Sequence, residues 1–63
     1  MFILIKDRER QGHTLLNLDN VIEIYEVCGK DSKFTRFRCI DDSHVDVDET
    51  LGIVLGTISK LVI

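Results

Sequence analysis

The most specific chemistry in this sequence comes from two arginines and a tyrosine. Arg36 and Arg38 alternate along one predicted strand, which places both side chains on the same face. Their guanidinium groups can form paired hydrogen bonds to phosphates, and the ring of Tyr25, predicted beside them, offers a base a stacking surface. Arg36, Arg38 and Tyr25 therefore form a candidate site for a small anionic, nucleotide-like ligand. The alternative is a solvent-facing ladder of ion pairs, whose acids would weaken anion binding.

A second group of polar residues has the types that bind metals. His44, Asp46 and Asp48 alternate on one predicted strand and share a face. Neighbours on that face are about 7 Å apart, whereas ligands of one ion lie about 3 Å from each other. The spacing of Cys28 and Cys39 also matches no zinc motif. We therefore expect no metal and no cofactor.

The two cysteines lie in apolar, strand-like runs. Such residues are most often buried and reduced in a cytosolic protein, and we expect this for both Cys28 and Cys39. The predicted pairing of strands separates them by on the order of 20 Å, at about 3.3 Å per residue. An intrachain disulfide would need them much closer, so none is expected.

No catalytic motif accompanies these residues. The sequence contains no nucleophile elbow, Walker loop, HExxH or CxxC pattern, and its serines have no histidine at a meaningful spacing. General acid–base catalysis needs a cleft that shifts pKa values, which so short a chain seldom builds. We therefore expect a binding protein and no enzyme.

A mainly β fold must position these side chains. The predicted strands cover residues 2–6, 13–28, 33–40 and 44–48. The second is interrupted at 17–20, where Asx side chains favour a bend or bulge. The tail from 49 to about 60 is predicted to be helical, with a fifth strand at 57–63 as the alternative. The predicted fold class is α+β, mainly β: a single domain over residues 1–63, with a small antiparallel four-stranded meander sheet and one C-terminal helix packed on it.

The side-chain pattern predicts the strand registers. Closing one loop between residues 40 and 44 and another at 29–32 gives each strand an apolar and a charged face. The predicted core pairs are Cys39 with Val45, Phe37 with Val47, Ile24 with Phe37 and Ile22 with Cys39. The predicted charged rungs are Glu23–Arg38–Asp46 and Tyr25–Arg36–Asp48.

The predicted helix has one apolar stripe. Its members recur at helical spacing and are Leu51, Val54, Leu55, Ile58 and Val62. Asp48 is a good N-cap for this helix. Gly52 and Gly56 lower its propensity, but they allow close approach, either to the sheet or to a symmetry-related helix.

The ends of the chain predict self-association. The segments 2–5 and 61–63 are apolar on every face, and a strand of that kind needs cover on both sides. A chain of 63 residues has a small core, and such a core rarely supplies more than about 3–5 kcal/mol. We therefore predict a homo-oligomer.

The charge balance excludes several partners. The chain has 8 basic and 11 acidic residues, for a formal charge of −3, and only a small basic tip at Lys6, Arg8 and Arg10. Duplex nucleic acid requires a basic surface that follows phosphates, so we expect no such binding. No run is long and apolar enough for a membrane span, and no signal or transit peptide is recognised. The expected location is the cytoplasm.

Three stretches follow a known pattern: a short first strand; residues 14–17 (Thr-Leu-Leu-Asn) leading to 21–24 (Val-Ile-Glu-Ile); and a hairpin that enters a helix over residues 44–50. In these the chain resembles the small FlbD-type flagellar protein family and small uncharacterised phage proteins of similar length. It departs from the family at 48–50, where a Lys-Glu-Ser type of helix start is typical, and at 41–43, where Asn-Gly is common. The resemblance implies architecture and brings no catalytic residues.

Size and this resemblance together imply a function. The expected role is a phage-type accessory protein for host-defence evasion, which sequesters a small anionic, nucleotide-like host signal or blocks a host protein. The alternative is a cellular flagellar-type adaptor that binds a protein partner through a strand edge or a helix.

Overall fold

The computed structural model describes residues 1–61, and the side chains of residues 1–59. The elements, in chain order, are β1 (Phe2–Asp7), β2 (Gly12–Asn17), a short 3-10 helix (Leu18–Asn20), β3 (Val21–Cys28), β4 (Lys33–Cys39), β5 (His44–Val47) and α1 (Leu51–Leu61). The prediction of a mainly β fold with one C-terminal helix is confirmed.

The strand predicted over residues 13–28 is divided in two. The Asn17 side chain accepts a hydrogen bond from the Asp19 backbone N–H at 3.0 Å, and the 3-10 helix then turns the chain into β3. As a result β1 and β2 form one antiparallel sheet, and β3, β4 and β5 form a second. The predicted single four-stranded meander is therefore wrong, because the Asx turn ends one sheet and begins the next.

Backbone hydrogen bonds outside the strands hold the two sheets together. Just beyond β1, the Arg8 N–H donates to the carbonyl of Asp46 at 2.8 Å, which places the β1–β2 hairpin against β5. At the corner between the sheets, the Ile40 N–H donates to the carbonyl of Asn20 at 2.9 Å. The loop after β1 is thereby fixed over one end of β5.

The register between β3 and β4 is largely as predicted. The confirmed pairs are Glu23 with Arg38, Ile24 with Phe37 and Tyr25 with Arg36. The predicted pair of Ile22 with Cys39 is wrong, because a β-bulge between Val21 and Glu23 sets Val21 opposite Cys39. The bulge turns Ile22 outward, and 54% of this residue is exposed.

The register between β4 and β5 differs from the prediction by two residues. The observed pairs are Thr35 with Val47, Arg36 with Asp46, Phe37 with Val45 and Arg38 with His44. The predicted pairs, which are wrong, are Arg36 with Asp48, Phe37 with Val47, Arg38 with Asp46 and Cys39 with Val45. The loop closes one residue early, since the Cys39 N–H donates to the Ser43 carbonyl at 2.8 Å and Asp42 adopts a positive φ of 67°. This is the three-residue turn with a left-handed third residue that many hairpins use. A shift of two residues leaves every side chain on its predicted face.

The core lies between the hairpin, the sheet and the helix. Its buried hydrophobic members are Ile3, Leu16, Phe37, Cys39, Val47 and Val54. Thr35 is fully buried beside them, and its hydroxyl donates to the carbonyl of Glu49 at 2.7 Å. This hydrogen bond ties β4 to the segment that leads into α1. The predicted core face of β4 is therefore confirmed.

Helix α1 covers the core with one part of its predicted stripe. Val54 is buried and Leu51 and Ile58 are half-buried, but Leu55 is 49% exposed. Val62 lies outside the described residues. The alternative of a strand at 57–63 is wrong as far as Leu61, the last described residue, because residues 57–61 are helical. Over the described residues, no helix is long and apolar enough to cross a membrane.

The start of α1 is not capped by Asp48, contrary to the prediction. The helix begins at Leu51, whose N–H donates to Glu26 Oε1 of β3 at 3.2 Å. Asp48 Oδ1 instead lies 3.1 Å from Arg8 Nε. A carboxylate at this end of a helix is favourable, and here it comes from another element.

The two glycines of α1 do not fit the helix onto the sheet. A Cβ built on Gly52 or Gly56 would have no atom within 4 Å besides the adjacent residues and the backbone of the helix itself. The interpretation as close packing within one chain is therefore wrong for these positions. The second interpretation, contact with a symmetry-related helix, stays a prediction.

Candidate functional site

Arg36 is held by an acid from the neighbouring strand. Its Nε and Nη2 donate to Asp46 Oδ1 and Oδ2 at 2.8 and 3.1 Å, which is the paired geometry that guanidinium groups form with carboxylates. Asp46 is 4% exposed, so the pair lies at the edge of the protein interior. The Asp46 carboxylate, and after it the Tyr25 phenol, raise the pKa of Arg36 above its ordinary value.

Arg38 has a carboxylate partner as well. Its Nε donates to Glu23 Oε1 at 3.0 Å, in a pair that is about half exposed on both sides. The structure thus places Tyr25, Arg36 and Arg38 on one face, as the sequence predicted, and pairs each arginine with an acid, as in the ladder of ion pairs predicted as the alternative. An anionic ligand would have to displace Asp46 or Glu23.

We call this side of β3–β4–β5 the charged face; its members are Glu23, Tyr25, Phe34, Arg36, Arg38, His44 and Asp46. The guanidinium carbon of Arg8 lies 4.3 Å from the centroid of the Phe34 ring, and that of Arg36 lies 5.5 Å from it. Sequence reasoning missed Phe34, although it alternates with Arg36 along β4. Arg8 comes from a loop distant in sequence, and no local pattern signals its contact.

The loop between β1 and β2 has a fixed shape. The buried Asp7 carboxylate accepts hydrogen bonds from the backbone N–H groups of Glu9 and Arg10 at 2.9 and 3.4 Å. The Gln11 N–H donates to the Asp7 carbonyl at 2.9 Å, and Gln11 has a positive φ of 54°. This loop therefore holds the Glu9 side chain over the start of β5.

Glu9 joins two of the three residues that the sequence analysis considered and rejected as metal ligands. His44 Nε2 lies 3.7 Å from Glu9 Oε1 and 3.8 Å from Asp46 Oδ2. The argument that strand neighbours are too far apart is therefore wrong for His44 and Asp46, because their side chains lean together. Asp48 does not join them, since it pairs with Arg8.

A cleft of about 540 Å³ lies beside this loop. Its lining residues are Lys6, Asp7, Arg8, Gln11, Val47, Asp48 and Glu49. Three carboxyl groups and two cations share this space, so the cleft offers no net positive charge to an anion. It therefore does not strengthen the prediction of an anionic ligand.

The other prominent surface is apolar and lies on the outside of the β1–β2 hairpin. Phe2, Leu4 and Leu15 are 60%, 65% and 64% exposed, and Leu4 pairs directly with Leu15. We call these three residues the hairpin face. Ile3 and Leu16, on the opposite side of the same strands, are buried in the core. The sequence predicted a first strand that is apolar on both sides, and the structure places one side inside and the other in solvent.

The cysteines differ in their surroundings. Cys39 is buried, as predicted, whereas Cys28 is exposed, so the prediction of burial is wrong for Cys28. Cys28 ends β3 beside a turn, where a strand residue loses its cover. Both are free thiols.

Comparisons with protein-family models, with curated proteins and with solved structures found no match to this chain.

Proposed function

We propose that this protein is a non-enzymatic binding module that associates with a second copy of itself through the hairpin face. The observation that carries the proposal is the exposure of Phe2, Leu4 and Leu15, each above one half, on one side of two paired strands. Contiguous apolar surface of this kind is typical of protein interaction sites.

The energetic balance supports a weak association. Burying a Phe or Leu side chain fully is worth about 1.5–3 kcal/mol relative to leaving it exposed. A two-fold contact buries the same three residues from each copy, so six side chains supply about 9–18 kcal/mol. This gain exceeds the cost of association, about 4–15 kcal/mol, by only a few kcal/mol at the middle of both ranges. We therefore expect a weak dimer that forms at high micromolar to millimolar concentrations.

The hairpin face is also suited to a second copy by its symmetry. In a two-fold contact the same surface meets itself, and the Leu4–Leu15 pair lies at its middle. Lys6 pairs with His13 at one end of the hairpin, and at the other end Asp19 Oδ2 lies 3.4 Å from the Met1 amino group. An antiparallel arrangement keeps the Lys6 ends of the two copies apart and so avoids contact between like charges.

The broader roles implied by the resemblance are compatible with this module. A phage-type accessory protein and a flagellar-type adaptor both act by occupying a partner, and neither needs a catalytic site. The carboxylates that engage Arg36 and Arg38 favour a protein partner over a small anionic ligand. A nucleotide-like ligand at Tyr25, Arg36 and Arg38 remains the second candidate.

The test is the oligomeric state of two matched leucine variants. Leu15→Lys places a charge on the hairpin face, and Leu55→Lys places the same charge on the exposed side of α1. Sedimentation velocity at high micromolar concentrations should give a rapidly exchanging monomer–dimer mixture for the unaltered protein and for Leu55→Lys, and a monomer for Leu15→Lys. Circular dichroism checks that each variant is folded. If Leu15→Lys does not fold, Phe2→Ser replaces it as the variant that disrupts the hairpin face.

Two outcomes would overturn the proposal. A monomer for the unaltered protein would rule out self-association at these concentrations. Loss of the dimer in Leu55→Lys alone would move the contact to the helix, where Gly52 and Gly56 are open. Binding of a nucleotide that Arg36→Ala abolishes would instead support the anionic-ligand candidate.

A further inference from the structure

We propose that Glu9, His44 and Asp46 form a binding site for a transition-metal ion of the zinc type. One ligand atom from each residue lies within 4.8 Å of the other two. The three residues come from the β1–β2 loop and from β5, and none belongs to the hairpin face. The proposal is therefore independent of self-association.

The distances suit a small ion after a minor adjustment. Zinc lies about 2.0–2.2 Å from nitrogen and oxygen ligands in a tetrahedral site, which places two ligands about 3.3 Å apart. The separations of His44 Nε2 from Glu9 Oε1 and from Asp46 Oδ2 are 3.7 and 3.8 Å. Glu9 and His44 are exposed, so rotation of their side chains can close the remaining gap.

The mixture of ligands selects the class of metal. An imidazole nitrogen with two carboxylates suits zinc and related transition metals, whereas magnesium and calcium prefer oxygen ligands alone. Three protein ligands leave a fourth position for water or for a group from a binding partner.

Arg36 positions one of these ligands. Its paired hydrogen bonds fix the Asp46 carboxylate, and each carboxylate oxygen can accept a further bond. Asp46 Oδ2 lies 3.8 Å from His44 Nε2. Outer contacts of this kind orient ligands in metal sites generally. The positive charge of Arg36 also offsets one of the two acids, so the affinity should be moderate.

The order of the loop reduces the cost of assembling the site. Asp7 binds the backbone of Glu9 and Arg10, and the Arg8 N–H is bound to the Asp46 carbonyl. The backbone of Glu9 is thus already fixed relative to β5 when an ion arrives. Only side chains need to move.

The experiment uses zinc chloride as the probe and a Cys28→Ser background, because the exposed Cys28 thiol is itself a zinc ligand. Isothermal titration calorimetry should show one ion bound per chain in this background. His44→Ala should weaken binding at least about tenfold, the loss typical even of outer contacts in metal sites. His13→Ala is the matched control, since His13 lies on β2 and outside the cluster, and it should leave the affinity unchanged.

Nuclear magnetic resonance separates this site from adventitious binding. Zinc should shift the ring resonances of His44 and leave those of His13 in place, and magnesium should shift neither. Equal effects on both histidines, or zinc affinity that survives His44→Ala, would overturn the proposal. The proposal would also be overturned if the unaltered protein bound zinc and the Cys28→Ser protein did not.

Discussion

The charged face and the hairpin face are built from opposite kinds of residue, and they differ in how far their groups are already used. On the charged face, Arg36 and Arg38 are each bound by a carboxylate, and Asp46 is buried. On the hairpin face, Leu4 and Leu15 lie opposite each other across the strand pair and are mostly exposed to solvent. The two arginines are thus already paired with acids of the same chain, while apolar side chains remain available to a partner.

The difference shows that residue type alone does not define a binding surface. Cross-strand pairing brings opposite charges together at hydrogen-bonding distance, and the loop after β1 then covers part of the charged face through Arg8. Apolar side chains on an outer strand face have no such internal partner. These side chains are buried only when another molecule covers them.

The largest loss of stability is expected from replacing a buried phenylalanine, and an exposed phenylalanine of the hairpin face serves as the comparison. Phe37 is fully buried, and Phe37→Ala should lower the free energy of unfolding by about 3–5 kcal/mol. Phe2 is 60% exposed, and Phe2→Ala should change the stability of the monomer by about 0.5 kcal/mol or less. Urea denaturation at low protein concentration measures both, and equal losses would contradict the assignment of the hairpin face to the surface.

A matched pair of acids tests the structural role of the charged face. Asp46→Asn removes the charge that Arg36 binds in a buried place, whereas Asp48 is 69% exposed beside Arg8. We expect a clear fall in melting temperature for Asp46→Asn. Asp48→Asn should change the free energy of unfolding by no more than about 0.5 kcal/mol and leave the melting temperature nearly unchanged. Similar melting temperatures for the two variants would mean that the Arg36–Asp46 pair contributes little.

The exposed pair on the same face should contribute less. Arg38→Ala removes a hydrogen bond to Glu23 in a setting where solvent and salt screen the charges. Double-mutant cycles with Glu23→Ala should give a coupling of about 0.2–1 kcal/mol that falls as salt is added. A larger coupling that does not respond to salt would make this rung as structural as that of Arg36.

The smallest effect concerns the turn that sets the β4–β5 register. Hydrogen bonds from the Ser43 hydroxyl and then from its backbone N–H lower the pKa of Asp41 below its ordinary value. A lowered folded-state pKa stabilises the protein above the unfolded pKa, and that contribution is lost as pH falls through the folded one. Ser43→Ala should therefore raise the pKa of Asp41, measured by carboxyl-carbon resonances during an acid titration. The stability difference between the variant and the unaltered protein should shrink at strongly acidic pH.

The sequence predicted the parts of the fold that depend on alternation. The core side of β4, the shared face of Tyr25, Arg36 and Arg38, and three of the β3–β4 pairs follow from period-two patterning, which tertiary contacts did not override. The shift of two residues in the β4–β5 register was missed because the turn carries three polar residues in a row, at 41–43. The predicted and the observed placement of the loop both leave each side chain on the same face of the sheet. A left-handed residue at Asp42 decided between them.

The sites were less predictable for a physical reason. Alternation told which side chains share a face, but it carried no information about the loop that closes over that face. Arg8 and Glu9 reach the charged face only because Asp7 shapes their loop and Asp46 anchors it. The division at Asn17 was visible in sequence as an interruption, yet its consequence, a second sheet, depends on packing between distant strands.

The bulge at Ile22 also affects whether further strands can add to the unpaired edge of β3. Within the described residues, β3 pairs with β4 and with no other strand, so its outer N–H and C=O groups form an edge on which further strands could add. The extra residue between Val21 and Glu23 disturbs the regular spacing of those groups. Fibril-like growth along this edge is thereby discouraged, and removing the bulge by deleting Ile22 should make the protein more prone to aggregate.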